Sequence, residues 1–410
     1  MTSGEPDPPR PCLVMAKPAG ARCNLECAYC YYLPKAQLFP QAPVPRMADD
    51  LLEAYIRQRL EGCAGPATHF EWHGGEPTLL GLDYFRRIVA LQQAHRPAGR
   101  VISNGLQTNG TQLDEAWARF LAQERFSVGL SLDGPAPCHD AFRRTRGGQP
   151  THAEVMRAFR LLRSYGVHCD VLCVLHAGNV ASPVPVYRFF RDLGVTHLQF
   201  LPLVPPAGTP GPATAAPEAV GEFLCAVFDE WIRNDLGRIV VQTFDEAFRP
   251  ACGLPHALCT FRETCGDVVV LEHEGSVYAC DHFVDAGHLL GSLRHQPLAE
   301  LTAAPALAAF GRNKRDGLPA RCRACDVLKF CNGGCPKDRI LAEPSGEPGV
   351  NWLCPSYRRF FRHCRPVLAR LAAHWKAGRP LRAFAPAGRA RANDPCPCGS
   401  GIKHKRCCRS

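Results

Sequence analysis

Apolar positions along the first 245 residues repeat with two periods in turn. Residues 11–17, CLVMAKP, are a short apolar run predicted as a strand. In ADDLLEAYIRQRLEG (48–62), Leu51, Leu52, Tyr55, Ile56 and Leu60 recur at helical spacing. THFEWHGGEP predicts a strand ending in a glycine turn, LDYFRRIVALQQA (82–94) a helix, and RVISNGLQTNG a strand with Asn-Gly breakers. TQLDEAWARFLAQ (111–123) predicts a helix with Thr111 as its N-cap and Asp114 in the first turn. FSVGLSLDG (126–134) is a strand, and 151–166 a helix running from a threonine cap to a glycine. Strands over 167–175, 196–204 and 238–244 then alternate with helices over 185–194 and 217–234.

Strand–helix alternation on this scale predicts an α/β fold with a parallel sheet and crossover helices. The pattern fits a barrel and a doubly wound sheet equally. In either, the site belongs at the C-terminal ends of the strands. There the chain carries a cysteine loop after the first strand, GGEP after the second, Asn109 after the third, and Ser131 and Asp133 after the fourth. After residue 250 the rhythm stops and cysteines take over. Residues 376–393 read as a Pro/Ala/Arg linker with little to bury.

Composition narrows the setting. In 410 residues no apolar run approaches the roughly 18 needed to cross a membrane, and MTSGEPDPPRPC lacks the pattern of a secretory signal. A soluble cytoplasmic protein is expected. Twenty-three cysteines are many for that compartment, and an odd number does not make a full disulfide framework. Metal binding is the better use. The net charge of +10 is concentrated in residues 376–410, where nine Lys/Arg meet one acidic residue, Asp394. The bulk is close to neutral and the basic character belongs to the tail; nucleic acid, which such a tail could attract electrostatically, is the alternative and not the expected partner.

Cys23, Cys27 and Cys30 are spaced C-x3-C-x2-C, and no fourth cysteine is near. A four-iron cluster takes four ligands, so three thiolates leave one iron open. An open position separates a catalytic metal site from a structural one. A loop with buried thiols, or a zinc site borrowing a distant ligand, would show the same spacing. With Tyr29 before the last cysteine, and Gly74-Gly75-Glu76-Pro77 further on, the chain resembles the radical S-adenosylmethionine (SAM) enzymes. The resemblance implies a partial (β/α)6 TIM-type barrel over 1–245. It also implies SAM on the open iron, cleaved to a 5′-deoxyadenosyl radical. Gly74, Gly75 and Glu76 would meet the SAM amino group and Ser131 its carboxylate, with Arg143 or Arg157 assisting. Asn109 would lie on the ribose side.

A second array follows: Cys259, Cys265, Cys280, then Cys322-x2-Cys325-x5-Cys331-x3-Cys335, then Cys354. Eight thiols make two closed four-ligand sites, of zinc or iron–sulfur. A loop-rich region of this kind is expected to have a thin core and to need such staples. The order resembles the SPASM domain, here 246–375, which holds two auxiliary four-iron clusters. That implies Cys259, Cys265, Cys280 and Cys335 on the first and Cys322, Cys325, Cys331 and Cys354 on the second, so three 4Fe-4S clusters in all.

KPAG, Tyr31-Tyr32, GGEPTL, QTNGT, SLDGP and VYACDHF together resemble the anaerobic sulfatase-maturating enzymes over residues 10–375. That family oxidises a cysteine or serine of an unfolded sulfatase polypeptide to Cα-formylglycine. The resemblance implies Asp281, next to Cys280, as general base, an auxiliary cluster as electron acceptor, and a flavodoxin or ferredoxin as electron donor. Tyr32 would form part of the site wall. His73 stands where the family also has glutamine. A SPASM maturase making a thioether or carbon–carbon crosslink, and a zinc-rich adaptor without catalysis, are the alternatives.

In the tail, Cys396-x-Cys398-x8-Cys407-Cys408 has zinc-knuckle spacing. Residues 394–410 resemble the SEC-C motif, implying bound Zn2+ and a contact with export machinery. Cys12, Cys63, Cys138, Cys169, Cys173, Cys225, Cys252 and Cys364 belong to no array and are expected to pack as small apolar groups.

Overall fold

The computed structural model describes residues 12–39, 45–205, 210–342, 346–347, 349–386, 393 and 403–406. Cys396, Cys398, Cys407 and Cys408 lie outside the described residues. The first stretch alternates β1 (Leu13–Lys17), α1 (Asp49–Glu61), β2 (Ala67–Trp72), α2 (Leu82–Ala94), β3 (Val101–Thr108), α3 (Glu115–Gln123) and β4 (Ser127–Ser131). Then come α4 (Ala136–Phe142), α5 (His152–Ser164), β5 (His168–Leu175), α6 (Pro183–Leu193), β6 (His197–Pro202), α7 (Pro217–Asn234), β7 (Val240–Val241) and α8 (Gln242–Cys252). The cysteine-rich part adds β8 (Val268–Glu272), β9 (Ser276–Tyr278), β10 (Leu289–Ser292), four short or middle-length helices α9 to α12 between Leu298 and Cys331, and α13 (Cys354–Lys376).

Two compact units emerge. The first comprises residues 1–131, 143–169 and 264–313. In it β1 pairs in parallel with β2, β2 with β3, and β3 with β4. On its other edge β1 pairs in parallel with β8, Lys17 opposite Glu272, and β9 and β10 follow antiparallel. β2 shows why the site forms where it does. Thr68, Phe70 and Trp72 are buried towards the helices, while His69 and Glu71 alternate to the opposite face and stay half-buried. Phe70 and Trp72 stack, and Tyr55 of α1 stands edge-on to both. Leu52, Ile56, Phe85, Ile88, Leu106, Leu121 and Val128 complete this core.

Three local expectations are corrected here. Asn104-Gly105 does not break β3. Asn104 Oδ1 accepts from Trp72 Nε1 and Gln92 Nε2, both at 2.8 Å, so a buried amide network keeps the dipeptide extended. Thr111 does not cap α3. Asp114 does, accepting from Trp117 N at 2.9 Å, while Thr111 donates to Asn109. The predicted strand 238–244 shrinks to two residues, because Gln242 opens α8 and buries Phe244 and Ala247 at helical spacing. That helix spans residues 245 and 246.

The second unit comprises 132–142, 170–263 and 314–410. β5, β6 and β7 run parallel in it. Its cysteine-rich part does not have a thin core. α13 lies so close to α7 that a Cβ on Gly221 would come within 2.9 Å of the Ser356 backbone. Phe244 and Phe360 stack at 5.5 Å. Phe261, Phe330, Tyr357 and Phe361 form a further aromatic group with centroids 5.3–6.0 Å apart. The predicted strands and helices missed α13, whose cysteine and arginine content masks its apolar stripe. Among the described residues no helix is long and apolar enough to cross a membrane.

Candidate active site

The loop after β1 folds back on itself. Cys30 N donates to Cys27 O at 3.0 Å, Leu25 N to Cys23 Sγ at 3.4 Å, and Leu33 N to Cys30 Sγ at 3.4 Å. Backbone donors aimed at sulfur are a feature of iron–sulfur ligation. Burial pushes the Cys23 thiol up to about 12; Leu25 N–H opposes this, and Glu76, Cys27 and Cys30 add to it. A buried thiol beside two others is suited to a cationic cluster, which would hold all three as thiolates.

Residues 143–150 brace the loop from outside. Arg146 Nε donates to Cys23 O at 3.0 Å, Glu26 N to Arg144 O at 2.9 Å, and the Arg143 guanidinium lies 5.5 Å from the Tyr29 ring centre. Arg143 is buried. Arg157, the other arginine singled out from sequence, is exposed on α5 in a crevice with Leu113, Asp114 and Arg160. The structure thus sets Arg143, and not Arg157, beside the cysteine loop.

GGEP braces it from below. Gly75 N donates to Gly20 O, and Glu76 N to Arg22 O, both at 2.8 Å. A Cβ on Gly75 would stand 2.3 Å from Arg22 O, so only glycine permits this approach. The Glu76 carboxylate is spent internally. It accepts from Thr78 N, Thr78 Oγ1, Thr108 Oγ1 and Asn109 N at 2.6–3.1 Å. Asn109 in turn donates to Asn24 Oδ1 at 2.9 Å, next to Cys23. Ser131 Oγ accepts from Gln107 Nε2 at 3.3 Å. His73 faces Glu71 at 3.5 Å and His69 does so at 2.6 Å. Burial opposes ionisation of Glu71, but these two imidazoles hold its pKa down to about 2.

Asp281 lies in the tight turn closed by Phe283 N donating to Cys280 O at 3.1 Å. Its carboxylate is buried and bonded on both oxygens, by Lys17 Nζ on one and the Tyr31 hydroxyl on the other. Lys35 Nζ donates to the Asp281 and His282 carbonyls at 3.1 Å. Burial alone would raise the Asp281 pKa; the Lys17 ammonium overrides it and holds the acid well below the usual range, with His282 and Tyr31 contributing. Tyr31 leaves 51% of its surface open while its hydroxyl is sunk against Asp281, and burial pushes that phenol up. Lys17 Nζ also sits 3.5 Å over the Tyr32 ring, and the Tyr32 hydroxyl donates to both Glu272 oxygens at 2.8 Å. Sequence reasoning passed over Lys17 and Glu272. The signal was present: a lysine closing the apolar strand CLVMAK is 2% exposed and needs a buried partner.

Of the second cysteine array, Cys265 and Cys280 belong to the first unit and Cys259 and Cys335 to the second. Cys322, Cys325, Cys331 and Cys354 all belong to the second unit. There burial pushes Cys331 up to about 12, and Cys354, Cys322 and Cys325 raise it further. Four half-buried thiols that feel one another fit a closed cluster. Of the cysteines outside the arrays, Cys173, Cys252 and Cys364 are buried and Cys12, Cys63, Cys138, Cys169 and Cys225 half-buried.

A three-thiol loop at the C-terminal end of a parallel strand, with GGEP beneath it, defines a radical SAM enzyme. The Radical SAM superfamily model matches residues 18–190, the iron-sulfur cluster-binding SPASM model 259–326, and the SEC-C motif 393–410. The Serine-type anaerobic sulfatase-maturating enzyme of Bacteroides thetaiotaomicron is 37% identical over 376 residues, which are 88% of this chain and 91% of that one. The Cysteine-type anaerobic sulfatase-maturating enzyme of Clostridium perfringens is 32% identical over 89% of this chain and 100% of its own. The solved structure of native anSMEcpe with bound AdoMet and Cp18Cys peptide superposes with a TM-score of 0.80 at 32% identity, covering 88% of this chain and 99% of that one. The chain belongs to the anaerobic sulfatase-maturating enzymes. Its fold is accordingly a partial barrel joined to a SPASM domain.

Proposed function

We propose that this enzyme oxidises a cysteine or serine in an unfolded sulfatase polypeptide to Cα-formylglycine, with Asp281 as the general base. The observation that carries this reading is the setting of Asp281. It follows Cys280, and it is bonded by the tyrosine that follows Cys30 and by the lysine that ends β1.

Cys23, Cys27 and Cys30 would hold the cluster that, with bound SAM, would supply a radical able to take a hydrogen atom from the substrate Cβ, and an auxiliary cluster would supply the acceptor for the remaining electron. The chain's own residues handle the proton. The substrate thiol or hydroxyl proton goes to Asp281 as the Cβ–S or Cβ–O bond becomes double. A cysteine substrate gives a thioaldehyde that water converts to the aldehyde, releasing hydrogen sulfide. Lys17 keeps Asp281 ionised at neutral pH, and Tyr31 fixes its orientation. A carboxylate held so low is a weak base. It suffices because a carbon radical losing an electron makes the adjacent S–H or O–H strongly acidic. Gly74, Gly75, Asn109, Ser131 and Arg143 are the residues assigned to SAM, and Tyr32 and His73 to the walls of the site. Cys259, Cys265, Cys280 and Cys335 are assigned to one auxiliary cluster, and Cys322, Cys325, Cys331 and Cys354 to the other. A flavodoxin or ferredoxin supplies the reducing electron.

The test is an anaerobic assay with peptides carrying C-x-P-x-R or S-x-P-x-R, read by mass spectrometry. The aldehyde mass is expected on at least one of them. SAM cleavage without aldehyde on either peptide, or a crosslink mass in its place, overturns the reading.

A further inference from the structure

β8 ends in Glu272-His273-Glu274-Gly275, a turn closed by Gly275 N donating to Glu272 O at 3.1 Å. The chemistry above uses none of these side chains. His273 is 4% exposed, and neither ring nitrogen has a hydrogen-bond partner among the described residues. Leaving a buried polar group unsatisfied costs about 1–3 kcal/mol. The ring is nevertheless held firmly. Phe39 meets it edge-on at 5.4 Å, and a Cβ on Gly20 would stand 2.8 Å from Nδ1.

His273 Nδ1 is 4.0 Å from Glu272 Oε2 and 3.7 Å from Glu274 Oε2. Glu274 Oε2 is itself buried without a hydrogen-bond partner among the described residues. These separations are too long for hydrogen bonds. They are what two donors show when they share an ion, because bonds of about 2.0–2.2 Å set the donors roughly 3–4 Å apart. One ligand atom from each of the three residues lies within 4.8 Å of the other two. Glu272 is fully buried and oriented by the Tyr32 hydroxyl, as a carboxylate ligand is oriented by an outer partner. Glu274 is 36% exposed and provides the way in.

We propose that Glu272, His273 and Glu274 bind one divalent cation of the zinc or manganese kind, which accepts imidazole and carboxylate donors together. Through Glu272 and Tyr32 the ion ties the loop after Cys30 to the end of β8. None of the site's three proposed ligands is a cysteine of the arrays, and the site shares Tyr32 with the wall of the active site.

The test uses the full-length, cluster-reconstituted protein and Mn2+ as probe, with free ion read by electron paramagnetic resonance. Wild type is expected to bind one equivalent more than His273→Gln or Glu274→Gln. Tyr32→Phe is expected to weaken that equivalent by about 10–100-fold. Adding Mn2+ should slow hydrogen exchange across residues 23–33 in wild type alone. Glu274→Gln, at a half-exposed position, serves if His273→Gln fails to fold, with iron content as the check. Equal Mn2+ stoichiometry in wild type and Glu274→Gln overturns the proposal. So does exchange in 23–33 that ignores the ion.

Discussion

The loop of Cys23, Cys27 and Cys30 and the pocket of Cys322, Cys325, Cys331 and Cys354 hold the same donor atom in opposite settings. The first offers three thiols among polar neighbours: Asn24, Asn109, Arg143, Arg146 and the glycines of GGEP. The second offers four, in a unit whose nearby core is aromatic, from Phe261, Phe330, Tyr357 and Phe361. Three donors in a polar loop leave a coordination position and the means to fill it with a zwitterionic ligand. Four donors would leave none, and would suit a group that exchanges only electrons. Asp281 belongs with the first setting, since its carboxylate is bonded from the strand and loop that carry the triplet.

The comparison breaks first on cysteine exchange. Cys27→Ala should abolish reductant-dependent SAM cleavage and peptide oxidation together. Cys325→Ala should leave SAM cleavage measurable while peptide oxidation falls. Loss of SAM cleavage in both, with the triplet cluster intact by spectroscopy, would erase the distinction.

Next in size is Asp281→Asn. It should lower peptide oxidation by about 10²–10⁴-fold and spare SAM cleavage, measured as 5′-deoxyadenosine released. Oxidation within a few-fold of wild type would remove Asp281 from its role.

Lys17→Gln sharpens the same point through pH. With Lys17 present, Asp281 is ionised far into acid, so oxidation should be flat on its acid side across the range the clusters tolerate. Without the ammonium, only His282 and Tyr31 are left against burial and the carboxyl pKa rises, so the rate should fall as pH drops through that raised value. A buried carboxylate left without its partner also destabilises the fold by about 3–5 kcal/mol. A profile unchanged in shape would count against Lys17 as the clamp.

The smallest effect in vitro is expected from deleting residues 390–410. We propose that this basic tail binds Zn2+ and brings the enzyme to export-bound sulfatases. Peptide oxidation should then be unchanged, while sulfatase maturation in cells should drop. Equal losses in both assays would assign the tail to the enzyme's own stability.

The candidate site was legible where its residues sit in short motifs. A cysteine triplet, GGEP and SLDGP need only local spacing to be recognised, and each falls at the end of a strand whose alternation is plain. What escaped was set by partners far away in the chain. Lys17 and Glu272 became neighbours only through the parallel pairing of β1 with β8, across some 250 residues. Asn104-Gly105 reads as a turn until Trp72 and Gln92 supply its hydrogen bonds. The helix from Gln242 was hidden by β-branched residues just before it, and burial of Phe244 and Ala247 decided the outcome.

By itself the chain determined its class: the count and spacing of its cysteines, the strand–helix rhythm, and the glycines that admit a close backbone. These are properties of neighbouring residues, and local chemistry is enough to express them. The tertiary structure alone decided which arginine joins the cysteine loop, what charges surround Asp281, and that His273 is buried facing two carboxylates. Those depend on desolvation and on distances between segments remote in sequence, which pattern does not encode.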